Sequence, residues 1–136
     1  MRVAIVASRF NEEISSELLA RARAEAEKLG LRDVSVESVP GALEIPLALQ
    51  WLAQTRRFDA LVAIGCVIRG ETYHFEIVAN ESARGVTDVA LEFGVPVGNG
   101  ILTTEDEAQA RARLDKGAEA LRVAVEMARL KTKLGA

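Results

Sequence analysis

Cysteine, histidine and aromatic residues are scarce in this chain of 136 residues, and each scarcity excludes a class of protein. The single cysteine cannot form an internal disulfide, which excludes a disulfide-rich secreted domain and favours a reducing compartment. One histidine and one cysteine cannot supply a zinc site of the usual ligand spacing. Aromatic residues make up only 4% of the chain and the 17 basic residues are scattered, which argues against a nucleic-acid-binding face. We therefore expect a cytoplasmic protein without a metal ion or a nucleic-acid partner.

Long hydrophobic runs are also missing. The longest ones, such as residues 60–68, are far too short to span a membrane. Residues 1–6 have the pattern of a strand and lack the cleavage signal of a secretory peptide. The length, together with 49% apolar and 27% charged residues, instead fits one soluble domain over residues 1–136 with a core of its own. We expect no membrane association.

Strand-like and helix-like patterns alternate along the chain. Apolar and β-branched runs predict strands at residues 3–7, 33–39, 59–68 and 95–102. Apolar residues at helical spacing predict helices at 13–29, 42–54 and 75–93, a short helix from a capping box at 104–107 to about 113, and a last helix around 118–128. The connections are long enough for parallel crossovers. We therefore predict an α/β fold, a three-layer α/β/α sandwich with a four-stranded parallel, flavodoxin-like sheet. Its two open edges favour self-association.

The segments that follow the strands should meet, because the carboxyl ends of parallel strands lie at one edge of a sheet. The richest of these segments runs from Arg69 through Gly70, Glu71 and Thr72 to His74, the only histidine. An imidazole transfers protons readily near neutral pH. Glycine, a hydroxyl and a helix N-terminus are together typical of an anion site. His74 is therefore a candidate proton-transfer residue, with a purely structural histidine as the alternative.

Other candidate residues at this edge each have two interpretations. Phe10 is either an aromatic platform for a planar heterocycle or a hydrophobic staple for the helix that follows. Glu44 either accepts hydrogen bonds from a polyol or is simply a carboxylate favoured in a first helical turn. Arg113 either binds a phosphate group in a bidentate clamp or lies on a solvated helix face, and Lys116 is most simply a surface residue. Cys66 is most simply a buried core residue.

Two common functions of such a fold are excluded by missing motifs. A dinucleotide-binding fold needs G-x-G-x-x-G after a strand, and the chain has none. A phospho-receiver module needs an aspartate after the third strand, where this chain has Cys66 and Val67. The nucleophile elbow G-x-S-x-G of a hydrolase is absent as well.

Five segments together resemble the lumazine synthase family. They are SRFN at 8–11, PGALEIP at 40–46, GCVIRGETYHF at 65–75, NGILTT at 99–104 and KG at 116–117, and they follow the family's order over nearly the whole chain. The resemblance implies the condensation of 5-amino-6-(D-ribitylamino)uracil with 3,4-dihydroxy-2-butanone 4-phosphate. The product is 6,7-dimethyl-8-ribityllumazine, in the penultimate step of riboflavin biosynthesis. The family uses neither a metal ion nor an organic cofactor.

The resemblance also implies a role for each candidate residue. His74 would transfer protons, and Phe10 would stack on the pyrimidine. The pyrimidine and its ribityl chain would be bound by Phe10, Ala42, Leu43, Glu44, Cys66, Val67, Ile68, Asn99 and Lys116, and the butanone phosphate by Glu71, Thr72 and Arg113. Only two residues separate Arg113 from Lys116, where many members have a longer loop.

Members of this family form pentamers in which adjacent subunits complete each site, and some build larger shells. The resemblance therefore implies a homo-oligomer, at least a pentamer, with small-molecule substrates. It also implies a functional link to riboflavin synthase, which converts the product. Two alternatives stay open: a riboflavin synthase of the archaeal type, and a flavin- or lumazine-binding shell protein without activity.

Overall fold

Four parallel strands form one sheet at the centre of the computed structural model, which describes residues 1–136. They are β1 (Arg2–Ser8), β2 (Asp33–Val39), β3 (Ala60–Ile68) and β4 (Val97–Thr104). Their spatial order is β2-β1-β3-β4, and every neighbouring pair is parallel. This order starts as the flavodoxin-like order does, so the predicted sheet is confirmed.

Helices cover both faces of the sheet. They are α1 (Glu12–Lys28), α2 (Ile45–Gln54), α3 (His74–Phe93), α4 (Glu107–Arg111) and α5 (Lys116–Leu134), with a 3-10 turn (Ala42–Glu44) before α2. One buried apolar cluster joins α1 and α5 to the sheet, and a second joins α2 and α3 to the opposite face. The predicted three-layer sandwich is thereby confirmed. None of these helices combines the length and the apolar composition needed to cross a membrane.

The two central strands are buried on both faces. In β1, Val3 and Ile5 belong to the cluster under α1 and α5, whereas Ala4 and Val6 belong to the cluster under α2 and α3. β3 is likewise buried over residues 60–67. Both strands therefore appear in the sequence as continuous apolar runs, as expected for parallel strands covered by helices on each side. β2 and β4 are the open edges.

Two glycines let α5 approach its neighbours closely. A Cβ atom on Gly117 would lie 2.1 Å from the carbonyl oxygen of Leu18 in α1. A Cβ atom on Gly98 in β4 would lie 1.9 Å from the carbonyl oxygen of Ala120. Both distances are far below any contact that a side chain tolerates, so α5 rests on α1 and on β4 through bare backbone.

The end of β4 and the start of α4 differ from the prediction. β4 begins two residues later than predicted and includes Thr104, which pairs with Ile68 and so remains in the sheet. The N-cap of α4 is therefore Asp106, whose carboxylate accepts the Gln109 N–H at 2.8 Å. The Gln109 side chain accepts the Glu105 N–H in return, also at 2.8 Å. The predicted capping box was wrong by two residues, and α4 ends at Arg111 instead of 113.

Helix α2 turns an apolar row outward. Ile45 and Leu49 are fully buried, whereas Leu43, Leu47 and Trp51 keep 39%, 50% and 60% of their surface exposed. The helical pattern predicts one apolar side with Leu43, Leu47, Trp51 and Leu52. Of these four, Leu52 packs against the buried cluster, whereas the other three face away from the core. We call Leu47 and Trp51 of α2, together with Leu43 of the preceding 3-10 turn, the α2 row.

The Gly117→Ala substitution should lower the free energy of unfolding by about 1–3 kcal/mol, because the new methyl group forces α5 away from α1. The midpoint of urea denaturation at fixed protein concentration measures this effect. Gly70→Ala is the matched control, since a Cβ atom there meets nothing within 4 Å. Equal midpoints for the two variants would contradict the close approach of α1 and α5.

Candidate functional site

Main-chain hydrogen bonds continue the sheet beyond its strands and hold the loops together. The N–H of Arg9 donates to the carbonyl of Val39 at 2.9 Å, and the N–H of Phe10 donates to that of Pro40 at 3.2 Å. On the other side, the N–H of Arg69 donates to the carbonyl of Thr104 at 2.9 Å. The segments after all four strands are therefore fixed at one edge, as predicted.

A cavity of about 380 Å³ opens at this edge, on the face that carries α2 and α3. It is lined by Phe10, Gly41, Ala42, Leu43, Glu44, Cys66, Val67, Ile68, Gly70, Thr72, His74, Phe75 and Val78. The cavity is large enough for a heterocycle of moderate size and is mostly apolar, with a few polar groups, as small-molecule sites usually are. Most of the predicted site residues meet in it.

Phe10 is presented to the cavity by an unusual turn. Its side chain is 70% exposed, which does not fit a staple packed on α1. The next residue, Asn11, is the N-cap of α1 but makes no side-chain capping bond and has a left-handed backbone, with φ of 57°. Its side-chain amide donates instead to the carbonyl of Cys66 at 2.9 Å. This bond ties the turn that carries Phe10 to the end of β3.

Glu44 closes the short 3-10 turn beside Phe10. Its N–H donates to the carbonyl of Gly41 at 3.1 Å, and its carboxylate lies over the same glycine, since a Cβ atom there would be 3.1 Å from Oε1. Glu44 has no ion-pair partner within 4 Å. The Glu44 carboxylate at the cavity wall is therefore free to accept hydrogen bonds from a ligand.

His74 is the first residue of α3, where the positive end of the helix dipole meets the cavity. Its side chain is exposed and lines the cavity, and its N–H makes a long 3.4 Å bond to the Thr72 hydroxyl. Phe75, in the same first turn, and Val78, one turn further along α3, also line the cavity, although the helical pattern predicted them only as core residues. Glu71 is exposed beside Thr72 but does not line the cavity.

Cys66 forms part of the cavity wall, and its thiol is poorly reactive. It is only 2% exposed, and burial, with a smaller contribution from the charge of Glu107, raises the pKa of its thiol to about 11. A thiol nucleophile requires the thiolate, which is rare at neutral pH with such a pKa. The sequence-based interpretation of Cys66 as an inert buried residue is consistent with this.

Arg113, Lys116 and Asn99 lie outside the cavity. Arg113 and Lys116 line a separate polar groove of about 460 Å³ between the end of β4 and α5. Nη1 of Arg113 donates to the Gln109 carbonyl at 2.9 Å, and no carboxylate lies within 4 Å of this guanidinium. Lys116 forms an ion pair with Glu119 at 3.2 Å. Asn99 is exposed on the edge strand β4 and lines neither the cavity nor the groove.

Arg69 has contacts that spacing along the chain did not reveal. Its Nε donates to Glu105 at 2.6 Å, its Nη1 to Glu76, and its guanidinium lies 4.5 Å from the centre of the Phe75 ring. These hydrogen bonds raise the pKa of Arg69 and lower that of Glu76, so both groups stay charged at neutral pH. Arg69 thus links β3, α3 and the loop before α4.

Comparison with known proteins points to one family. The model of the family described as 6,7-dimethyl-8-ribityllumazine synthase matches residues 1–132. A protein of that name from Nitrosomonas europaea is 59% identical over 131 residues, which cover 94% of this chain and 80% of that protein. Proteins of the same name from Burkholderia multivorans and Cupriavidus necator are 58% and 56% identical over 133 residues, covering 96% of this chain and 77% and 80% of theirs.

Alkylation of Cys66 by iodoacetamide should be slow in the native protein. With the pKa raised from 9.0 to about 11, the thiolate fraction at pH 8 falls about 100-fold, because the buried neutral thiol is favoured over its anion. The rate should keep rising with pH to beyond pH 10 and not level off near pH 9. The same chain in urea is the reference. A native rate within a few-fold of that reference, on the scale of ordinary thiols, would contradict the shifted pKa.

Proposed function

Because the chain belongs to the 6,7-dimethyl-8-ribityllumazine synthase family, we propose that it condenses 5-amino-6-(D-ribitylamino)uracil with 3,4-dihydroxy-2-butanone 4-phosphate. It would be a transferase of riboflavin biosynthesis that forms one domain over residues 1–136. The observation that carries this proposal is that an exposed aromatic ring, Phe10, and the only histidine, His74, line the same cavity. The lone buried cysteine supports a cytoplasmic location.

The reaction needs proton transfers and a site for phosphate more than it needs a nucleophile. The 5-amino group attacks the ketone and forms an imine with loss of water, and elimination then releases phosphate. The ribitylamino nitrogen closes the ring with loss of a second water. His74 is the side chain at the cavity that suits these proton transfers, because imidazole is the commonest general acid–base group in enzymes. Holding both substrates in one cavity removes much of the entropic barrier to their reaction.

The pyrimidine would occupy the apolar end of the cavity. Its ring would stack on the exposed face of Phe10, which needs little directional chemistry. Residues 42–44 and 66–68 would surround the ring and the ribityl chain, and the free carboxylate of Glu44 would accept hydrogen bonds from ribityl hydroxyls. These groups all lie on rigid strand ends or on the short turn before α2.

The butanone phosphate would occupy the end of the cavity near α3. Gly70 and Thr72 line the cavity there, and the N-terminus of the 20-residue helix α3 adds a favourable field for an anion. Glu71 would contact this substrate by analogy with the family. Arg113 would add a bidentate clamp, because its guanidinium lacks a carboxylate partner.

A second subunit is needed to complete this site, since Arg113, Lys116 and Asn99 lie away from the cavity of their own chain. The exposed α2 row is an apolar surface that a neighbour would cover. We therefore infer a homo-oligomer, a pentamer as in the family, in which the cavity of one subunit faces the groove and β4 of the next. Its product would be the substrate of a riboflavin synthase.

The His74→Ala variant should keep considerable activity, with kcat reduced about 10–100-fold, because general acid–base catalysis supplies only part of the acceleration. The measurement is the appearance of lumazine absorbance from the two substrates. Light scattering shows whether the assembly is intact. Complete inactivation of an intact assembly, or no loss at all, would contradict this role.

The wild-type protein should not convert 6,7-dimethyl-8-ribityllumazine when that compound is its only substrate. This control distinguishes the proposed activity from that of a riboflavin synthase.

Mixed assemblies test whether the site is shared. Phe10→Asp damages the cavity and Arg113→Glu damages the groove, so each variant alone should be nearly inactive. In a 1:1 co-assembly about a quarter of the sites combine an intact cavity with an intact neighbouring groove, because the interface is head-to-tail. Activity should therefore return to about a quarter of the wild-type value.

The matched control combines two variants damaged in the same half. Phe10→Asp mixed with His74→Ala offers no site with an intact cavity, so its activity should remain the average of the two pure assemblies. Recovery in this control, or none in the first mixture, would contradict a site built from two subunits.

A further inference from the structure

Arg69 lies outside the set of substrate-binding residues, yet it connects three segments that frame the cavity. It follows β3 directly, and its N–H continues the pairing of β3 with β4 through the Thr104 carbonyl. Its side chain reaches Glu76 in the first turn of α3 and Glu105 in the loop before α4. Its guanidinium also lies over Phe75, a wall of the cavity, at a distance typical of a cation–π contact.

The guanidinium is already committed to protein groups. Nε and Nη1 point at two different carboxylates, and one face lies on an aromatic ring. An arginine that bound the substrate phosphate would offer its planar pair of N–H groups to the cavity. The geometry therefore favours an anchoring role over a ligand role.

The start of α3 has few other polar side-chain anchors. Its N-cap, Tyr73, makes no side-chain capping bond, and the bond from the His74 N–H to Thr72 is 3.4 Å long. Phe75 packs against the buried cluster under α2 and α3, and the contacts of Arg69 with Glu76 and Phe75 add the charged side-chain restraints on this turn. The ion pairs are partly exposed, with 39% of the Arg69 side chain accessible, so they add little to global stability.

We propose that Arg69 is a positioning residue, which fixes the first turn of α3, with His74 and Phe75, against the loop before α4. The inference rests on the proposed function, since its effect is on the condensation. A small displacement of that turn moves His74 relative to the butanone phosphate, and misplacement by about 1 Å can cost about 100-fold in rate. The pyrimidine, held at Phe10 on a separate loop, should be bound as before.

Two substitutions of Arg69 test the role. In Arg69→Met and in Arg69→Lys, kcat should fall about 10–100-fold, while the KM of the pyrimidine and the urea midpoint stay near wild type. Lysine at position 69 should not restore kcat, because one ammonium group cannot reproduce the planar guanidinium that joins two carboxylates. Wild-type kcat in Arg69→Lys would show that the charge alone matters and would overturn the proposal, as would an unchanged kcat in Arg69→Met.

The partner carboxylate separates anchoring from phosphate binding. Glu105→Gln should lower kcat, as Arg69→Met does. The double variant should have the same kcat as Arg69→Met alone, because both changes remove the same contact. If Arg69 were instead a phosphate ligand, Glu105→Gln would free it and increase the protection that inorganic phosphate gives against heat. That increase would overturn the proposal.

Arg84→Met is the matched control. Arg84 also contacts two carboxylates, Glu81 and Asp88, but all three lie on α3 away from the cavity, so kcat should not change. An equal loss in this variant would mean that any ion pair on α3 matters, which contradicts a specific role for Arg69. Wild-type protein without lumazine-forming activity would overturn the proposed function itself, whereas active wild type with unaffected Arg69 variants would overturn only this inference.

Discussion

The parallel register of the sheet is the constraint on which the whole site depends. Ser8 pairs with Val39 and Ile68 pairs with Thr104, so β1 ends level with β2, and β3 ends level with β4 a few residues further on. Main-chain bonds then continue for one or two residues past those ends. The segments that carry the polar side chains are therefore held by the same ladder that holds the core, and their relative positions need no long or flexible loop.

The same sheet also divides the functional residues into two groups. The cavity lies on the face covered by α2 and α3, and the groove with Arg113 lies beside α5 at the edge strand β4. Backbone contacts at Gly117 and Gly98 hold α5 directly against α1 and β4, and the groove beside α5 is separate from the cavity. Under the proposed function, a second copy of the chain would bring the unpaired guanidinium of Arg113 to the cavity of the first.

Much of the fold could be predicted from the sequence, because buried positions recur at regular intervals as apolar residues. The central strands appeared as continuous apolar runs, and their ends gave most of the cavity residues. Periodicity says which residues are apolar, however, and not what covers them. Phe75 and Val78 fit a core stripe equally well, and the apolar side of α2 looked like an inner face although the α2 row is exposed. The capping box failed for a related reason, because pairing in the sheet retained Thr104.

Contacts between charged side chains distant in sequence were the least predictable part of the site. Arg69 and Glu105 are 36 positions apart, and no spacing rule joins them until the fold has placed β3 beside β4. Yet such contacts matter here because the chain has so little reactive chemistry: one histidine, and one cysteine whose thiol stays neutral. A condensation that needs orientation and proton transfer depends on how firmly a few groups are held. In this molecule the polar side chains of Asn11 and Arg69 do the holding, because they join separate strand ends without contributing a reactive group of their own.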